Sequence, residues 1–310
     1  MAPSLRIAIV APGEMGHAVG ARLRARGATV TTCLFGRSEH SARRARAAGM
    51  VEVPDDEALV RAADIFLSIV PPGAAVATAE RIATALARTG TGLLYVDCNA
   101  IAPATVAVVA HAVTPAGARF ADAAIIGGPP RNGGPGPRFY TSGPEATAVL
   151  RLREFGLDVR VIDGGSGRAS ALKMSYGALT KGLTALAGGL LIAAKKGGVG
   201  GALAQELGES QRELRHWIDR QLPKMPPKAY RWVAEMEEAA KTVEACGLPG
   251  AMLRGAAEFY AFVANSPLGQ PLPGERRDQL TLNTVVESLS DAIADDLLAG
   301  LTDRADDQGR

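Results

Sequence analysis

The chain has 310 residues, of which 47% are hydrophobic and 21% charged, the composition of a folded protein with a substantial core. This length is comfortable for two domains. Lysine plus arginine (34) nearly cancels aspartate plus glutamate (32), so the net charge of +2 indicates neither a nucleic-acid partner nor an anionic membrane.

The first half alternates short apolar runs with helical runs rich in alanine and arginine. Predicted strands cover residues 5–11, 29–35, 65–70, 93–97, 119–124, 138–142 and 158–162, and predicted helices cover 15–26, 41–48, 75–87, 103–111 and 144–155. This alternation predicts an α/β domain with a doubly wound, mainly parallel sheet and helices on both faces.

The pattern changes at the glycine-rich segment 164–167, and no strand pattern follows it. Predicted helices cover residues 169–196, 202–222, 229–245, 251–264 and 280–301. We therefore predict a nucleotide-binding domain over 1–165 and an all-α domain over 166–302, joined by a long interdomain helix. The tail, 303–310, is expected to fray.

A glycine turn directly follows the first strand and opens the first helix: Ala11-Pro12-Gly13-Glu14-Met15-Gly16. It matches the G-x-G-x-x-G dinucleotide fingerprint with alanine in the first position. Gly13 lets the backbone approach a pyrophosphate, and Gly16 lets the helix pack closely on the strand. The helix N-terminus offers N–H groups and a positive dipole to the phosphates. The position within a βαβ unit favours this Rossmann-type site over a glycine turn without a ligand.

Arg37 and Ser38 follow the second strand, where an NAD enzyme usually has an acidic residue for the ribose 2′-hydroxyl. A guanidinium pairs well with a 2′-phosphate, and a serine hydroxyl can donate to it. We therefore expect NADP as the cofactor. Glu39 follows closely, so NAD stays possible, and an ordinary exposed loop arginine is the alternative interpretation.

Further segments occur in an order that resembles the β-hydroxyacid dehydrogenase family, which includes 3-hydroxyisobutyrate and 6-phosphogluconate dehydrogenases and has imine reductases as relatives. They are residues 69–72 (IVPP), 97–103 (DCNAIAP), 122–128 (DAAIIGG) and 165–167 (GSG), the last followed by Lys173. The resemblance implies that Lys173 is the catalytic lysine at the start of the interdomain helix.

The same resemblance suggests roles for residues at the ends of three strands. Val70 and Pro71 are expected to border the nicotinamide half of the cofactor. Asn99 is placed to position the substrate or the nicotinamide ribose. The backbone N–H groups of Gly127 and Gly128, where no side chain blocks approach, are candidate donors to a substrate carboxylate or oxygen.

The chain departs from the family pattern in three places. The family often has K-x-x-N or K-x-x-H-N, whereas Lys173 is followed by Met174-Ser175-Tyr176-Gly177. Two extra residues separate Gly167 from Lys173. Ile126 stands where the substrate loop of the family has serine. The family's known substrates therefore do not carry over. The second half is most similar to an uncharacterised branch with a phosphogluconate-dehydrogenase-like helical domain.

A polar stripe marks the otherwise apolar interdomain helix. Its members, on one helical face, are Lys173, Tyr176, Gly177, Thr180, Lys181 and Thr184. The stripe faces either solvent or a cleft beside the nicotinamide, and the motif context favours the cleft. Burial would lower the pKa of Lys173 towards neutrality, which suits a general acid/base, and Tyr176 lies one turn further on. Lys181, about 12 Å along the axis, is expected to attract an anionic part of the substrate.

These features predict an NADP-dependent oxidoreductase that transfers a hydride between nicotinamide and a small hydroxy acid or related alcohol or carbonyl, with Lys173 as general acid/base. One alternative is an imine reductase, which reduces C=N and uses Tyr176 as the proton donor. Another is a non-catalytic nucleotide-binding sensor that keeps the Rossmann fold.

Partners and location follow from composition. The partner expected is a small-molecule substrate, without nucleic acid or membrane, and the apolar helical half predicts a homodimer. No metal is expected, because the three cysteines and four histidines show no ligand spacing. The chain begins without a signal-peptide pattern, and its longest apolar stretch, 183–194, is shorter than the roughly 20 residues of a membrane span. A cytoplasmic protein is expected.

Overall fold

The computed structural model describes residues 5–130, 134–270 and 280–293. Its first compact unit, Met1–Tyr176, is built on one eight-stranded sheet. The strands are β1 Arg6–Val10, β2 Thr29–Cys33, β3 Val51–Val53, β4 Ile65–Ser68, β5 Leu94–Asp97, β6 Arg119–Ile126, β7 Arg138–Ser142 and β8 Asp158–Val161. Their order is β3-β2-β1-β4-β5-β6-β7-β8, and every pair is parallel except β6–β7. The predicted doubly wound sheet is confirmed.

Helices cover both faces of this sheet. They are α1 Glu14–Ala25, α2 Glu39–Ala47, α3 Asp56–Arg61, α4 Ala75–Thr89 and α5 Pro103–Val113, with 3-10 helices at Pro72–Ala74 and Ala146–Arg153. Along β1, Ile7 and Ile9 pack in one core layer while Ala8 and Val10 pack in the other. Burial on both faces explains why this strand is a continuous apolar run in the sequence.

Three elements of the first unit were not predicted, and one was predicted as the wrong type. The edge strand β3 and the 3-10 helix Pro72–Ala74 have three residues each and α3 has six, so none is long enough to show a hydrophobic period. The segment predicted as a helix over 144–155 is a 3-10 helix, Ala146–Arg153. The remaining predicted elements differ from the structure only at their ends.

The second compact unit, Gly177–Arg310, contains helices and no strand among its described residues. Its helices are most of α6 Arg168–Lys196, then α7 Gly200–Ser210, α8 Arg212–Gln221, α9 Ala229–Glu244, α10 Ala251–Asn265 and a segment over 282–293. The single helix predicted over 202–222 is therefore two helices, because Gln211 leaves the helical region with φ −133° and ψ 49°. The predicted tail, 303–310, lies outside the described residues.

The boundary between the units falls inside α6, after Tyr176, whereas the sequence placed it at residue 165. The difference arises because the first turns of α6 are hydrogen-bonded to the sheet of the first unit, as described below. Among the described helices, α6 has the length and apolar composition to cross a membrane, a property that core helices of soluble proteins share.

Candidate active site

The turn after β1 has a left-handed residue where the dinucleotide fingerprint normally has its first glycine. Ala11 has φ +57° and is the one non-glycine residue with positive φ among those that the structure describes. The departure noticed in the sequence therefore keeps the backbone shape of the fingerprint, at the conformational cost of a side chain in this region.

The two glycines of the turn are required for different reasons. A Cβ on Gly16 would lie 2.9 Å from the carbonyl oxygen of Ala11, so close packing of α1 on β1 demands glycine there. A Cβ on Gly13 would lie 3.9 Å from that oxygen, an ordinary contact, so the chain's own packing does not demand glycine at this position. The space that Gly13 leaves open in front of α1 fits the approach of a pyrophosphate.

The neighbouring residues of the turn fit the same interpretation. Glu14 and Met15 form the first turn of α1, where main-chain N–H groups point out of the helix. The ring Nδ1 of His17 lies 2.7 Å from the carbonyl oxygen of Gly13, and a proton on this nitrogen would be donated to that oxygen. His17 thus stabilises the turn, a contact that the sequence did not predict.

Arg37 and Ser38 lie after β2, where the sequence placed the 2′-phosphate site, but they differ in their local roles. Ser38 is the N-cap of α2, and its hydroxyl oxygen accepts a hydrogen bond from the N–H of Ser41 at 3.3 Å. Arg37 is exposed, and within the described part of the chain its guanidinium has no hydrogen bond or ion pair. Partial burial, followed by the charge of Arg81, lowers the pKa of Arg37.

A buried polar row crosses the sheet near the carboxyl ends of its central strands. Ser68, Asp97, Asp122 and Ser142 are paired in register across β4, β5, β6 and β7, and each is fully buried. Polar groups in such a position need partners, since an unpaired buried charge is costly. The partners that these residues find organise the site.

Asp122 caps the start of α6. One carboxylate oxygen accepts hydrogen bonds from the Ser142 hydroxyl at 2.8 Å and from the N–H groups of Gly167 and Ser170 at 2.9 and 3.1 Å. The other accepts from the Ser170 hydroxyl at 2.6 Å. A negative charge at a helix N-terminus is favourable, so the carboxylate holds α6 on the end of the sheet.

Lys173, one turn further along α6, is directed back at the same part of the sheet. Its Nζ donates a hydrogen bond to the carbonyl oxygen of Ile125, the penultimate residue of β6, at 2.9 Å. Gly127 and Gly128 follow directly after this strand, and Gly127 is left-handed with φ +125°. The predicted catalytic lysine and the predicted substrate loop are therefore brought together.

Asn99 joins the ends of β4 and β5. Its side-chain oxygen accepts from the N–H of Val70 at 2.7 Å, and its amide nitrogen donates to Ser68 Oγ and Asp97 Oδ2 at 3.0 and 2.8 Å. These bonds fix the backbone that leads into Pro71, the predicted border of the nicotinamide. The side-chain amide of Asn99 is thus engaged with the protein, and its contact with a ligand stays a prediction.

Asp97 has an unusual acidity for a carboxyl group. Burial, and to a lesser extent the charge of Asp122, raises the pKa of Asp97 to about 7. The hydrogen bonds from Asn99 and the positive charge of Lys173 act in the opposite direction. The sequence did not single out this residue, because a polar side chain at the end of a strand is common.

The remaining predicted residues lie further along α6. Tyr176 is 50% exposed and ends the first unit. Lys181 belongs to the second unit, where its Nζ pairs with Glu235 at 2.7 Å and lies 5.8 Å from the centroid of the Trp232 ring. The charge of Lys181 is thus balanced inside its own unit.

Comparisons with known proteins agree with this geometry. Residues 6–152 match the NAD binding domain of 6-phosphogluconate dehydrogenase, and residues 194–263 match a domain of unknown function, DUF1932. A protein of Methanothermus fervidus, described as an uncharacterized 28.5 kDa protein in the 7S RNA 5′ region, is 30% identical over 182 residues, which are 59% of this chain and 68% of that protein. The chain belongs to the 6-phosphogluconate dehydrogenase-like NAD-binding family.

Solved structures place this family member among hydroxyacid dehydrogenase folds. One is the conserved protein MTH1747, which has no known function and is described as similar in structure to 3-hydroxyacid dehydrogenases. It is 29% identical to this chain with a TM-score of 0.64, and the match covers 84% of this chain and 97% of that chain. Mycobacterium tuberculosis 3-hydroxyisobutyrate dehydrogenase, solved with L-serine, has 20% identity and a TM-score of 0.67, over 93% and 99% of the two chains. The second likeness concerns the fold alone.

Proposed function

We propose that this protein is an NADP-dependent oxidoreductase that transfers a hydride between nicotinamide and a small hydroxy acid or related alcohol or carbonyl compound. The observation that carries the proposal is the hydrogen bond from Lys173 to Ile125 at the carboxyl end of β6. The glycine turn lies at the carboxyl end of β1, on the same edge of the parallel sheet, where ligands of open α/β sheets bind.

The first unit supplies the binding groups for the cofactor. Gly13 and the N-terminus of α1 hold the pyrophosphate, and Arg37 holds the 2′-phosphate. Asn99 keeps Val70 and Pro71 in place beside the nicotinamide. The nicotinamide, when bound, supplies or accepts the hydride at its C4.

Lys173 moves the proton that accompanies the hydride. In the oxidation of an alcohol, the neutral amine accepts the hydroxyl proton, and in the reduction of a carbonyl, the ammonium returns a proton to the oxygen. The bond to the Ile125 carbonyl directs Nζ towards the end of β6. The N–H groups of Gly127 and Gly128 bind a carboxylate or oxygen of the substrate there.

The test uses the purified protein with NADPH or NADP⁺ and a panel of small hydroxy and oxo acids. We expect Lys173→Met to lower kcat by about 100-fold or more while the NADPH dissociation constant stays unchanged. Lys195→Met is the matched control, because Lys195 lies on the same helix and is 42% exposed. Full turnover by Lys173→Met would contradict the role of this lysine, and nucleotide binding without turnover by the wild type would favour the sensor function.

An imine reductase is the second candidate, favoured by one observation. Tyr176, which is half-exposed and carries a hydroxyl that can donate a proton, lies one helical turn after Lys173. If the protein reduces cyclic imines, and if Tyr176→Phe abolishes this reduction while Lys173→Met does not, Tyr176 is the proton donor and the hydroxy acid proposal is wrong.

We also propose a homodimer formed through α6. Leu179, Leu183, Leu186 and Leu190 recur at the spacing of one helical face, and the first, third and fourth are 70%, 59% and 56% exposed. Light scattering of the wild type against Leu179→Glu/Leu186→Glu tests this, and a wild-type monomer would contradict it.

A cytoplasmic location is part of the same proposal, in keeping with three free cysteines.

A further inference from the structure

The end of β2 lies next to the start of α3. Cys33, the last residue of β2, is in register with Val53 of β3, and its Sγ lies 3.7 Å from the carbonyl oxygen of Pro54. Asp56 begins α3 two residues later. The loop that carries Arg37 leaves β2 at this same edge, so a ligand beyond β2 meets both Arg37 and the start of α3.

A second arginine reaches this position from α4. The Nη1 of Arg81 donates to both carboxylate oxygens of Asp56, at 2.9 and 2.8 Å. The Arg81 side chain keeps 41% of its surface exposed, against 19% for Asp56. The ion pair therefore anchors the guanidinium and leaves much of it open to solvent.

Arg37 follows Cys33 by four residues, and Arg81 is bound to Asp56, two residues after the Pro54 that Cys33 contacts, so both arginines reach the end of β2. The positive charge of Arg81 is the largest charge effect on Arg37, and it lowers the pKa of that residue after partial burial has done so. Two cations held near each other at a cofactor edge favour an anion between them.

We propose that Arg81 is a second cationic ligand of the cofactor's 2′-phosphate, acting together with Arg37 to select NADP over NAD. The inference rests on the proposed function, since it needs a nucleotide in the first unit. It adds a residue of α4 that determines the choice of NADP over NAD. This residue lies more than forty positions beyond the turn after β2, where such residues are normally sought.

The chain offers a matched control on the same pair of helices. Arg88 lies two turns after Arg81 on α4 and pairs with Glu57 of α3 at 3.8 Å. Its side chain is 70% exposed, and it is not among the charges that act on Arg37. Arg81→Gln and Arg88→Gln therefore remove the same charge from the same helix, but only the first removes the cation near Arg37.

The experiment measures dissociation constants for 2′,5′-ADP and 5′-ADP by calorimetry, which isolates the adenosine end of the cofactor. We expect Arg81→Gln to weaken 2′,5′-ADP by about 10-fold and 5′-ADP by less than about 2-fold. Arg88→Gln is expected to leave both ligands within about 2-fold of the wild type. Thermal unfolding of the two variants checks that they remain folded.

The outcomes separate this inference from the function on which it rests. The role of Arg81 is overturned if Arg81→Gln and Arg88→Gln weaken the binding of 2′,5′-ADP equally, or if Arg81→Gln keeps the wild-type preference for 2′,5′-ADP over 5′-ADP. The oxidoreductase proposal stands in either case. If the wild type binds neither nucleotide, the proposed function fails first. If the wild type binds 5′-ADP as tightly as 2′,5′-ADP, the selection of NADP fails and the role of Arg81 fails with it.

Discussion

The Nζ of Lys173 donates to the carbonyl oxygen of Ile125 at 2.9 Å, and this bond ties the second turn of α6 to the end of β6. Three residues earlier, Ser170 is bound through its N–H and its hydroxyl to Asp122 of the same strand. The position of this lysine therefore depends on the buried carboxylate of Asp122.

Replacement of Asp122 by asparagine should destabilise the protein. The amide nitrogen of the asparagine would take the place of one carboxylate oxygen and face hydrogen-bond donors, which it cannot accept from. The negative charge at the start of α6 would also be lost. We expect a loss of about 2–3 kcal/mol in the free energy of unfolding, measured by urea titration. Asp163→Asn, at an exposed position, should change stability by less than about 0.5 kcal/mol. Equal losses of stability in the two variants would contradict the capping of α6 by Asp122.

Asp97 should make stability fall as the pH rises. Its pKa in the folded protein, about 7, lies above its value in the unfolded chain, so the folded state binds the extra proton in this interval. Stability is then lost from about pH 4 to about pH 7 and is constant above, with a slope of up to about 1.4 kcal/mol per pH unit. In Asp97→Asn this contribution disappears, so the variant gains stability relative to the wild type over the interval. Parallel pH profiles of the two proteins would contradict the raised pKa.

Ala11→Gly should stabilise the protein. Relief of the left-handed alanine outweighs the extra freedom of glycine in the unfolded chain, with a net gain of up to about 1 kcal/mol in the free energy of unfolding. Ala87→Gly, at an exposed position of α4, should instead cost about 1 kcal/mol. Chemical denaturation of both variants measures whether the free energy of unfolding rises or falls. A lower free energy of unfolding in Ala11→Gly would show that φ +57° at Ala11 carries no strain.

Lys181 and Glu235 should behave as a coupled pair. Both side chains are mostly buried, at 18% and 14% exposure, so removing one leaves a partly buried charge with a lost partner. We expect Lys181→Met and Glu235→Met each to lower the free energy of unfolding by more than half of the loss in the double variant. The resulting coupling energy between the two residues is about 1–3 kcal/mol. A double-mutant cycle in urea gives this value, and additive effects would show that Lys181 is not held by Glu235.

Several features of the site were visible in the sequence because they depend on short local patterns. The glycine turn, the absence of an acid after β2 and the lysine after a glycine turn each occupy a few consecutive residues, and local chemistry determines what they do. The roles of Lys173 and of the glycines after β6 were inferred from the order of the motifs and stay predictions, to which the structure adds the bond from Lys173 to Ile125.

Other features depend on contacts between distant residues. The pairing of Arg81 with Asp56 joins residues on different helices, and the row from Ser68 to Ser142 exists only through strand register. The hydrogen bonds of Asn99 are of the same kind, since Val70 and Ser68 become its partners only when β4 and β5 lie side by side.

The sequence by itself determined the doubly wound sheet, the glycine turn and the helical second half, because hydrophobic period and backbone conformation are properties of neighbouring residues. Tertiary structure alone decided that α6 begins on Asp122, that Lys173 is bound to Ile125 and that Lys181 is neutralised by Glu235. These are electrostatic contacts, whose strength depends on distance and burial, and both are set only when the chain folds.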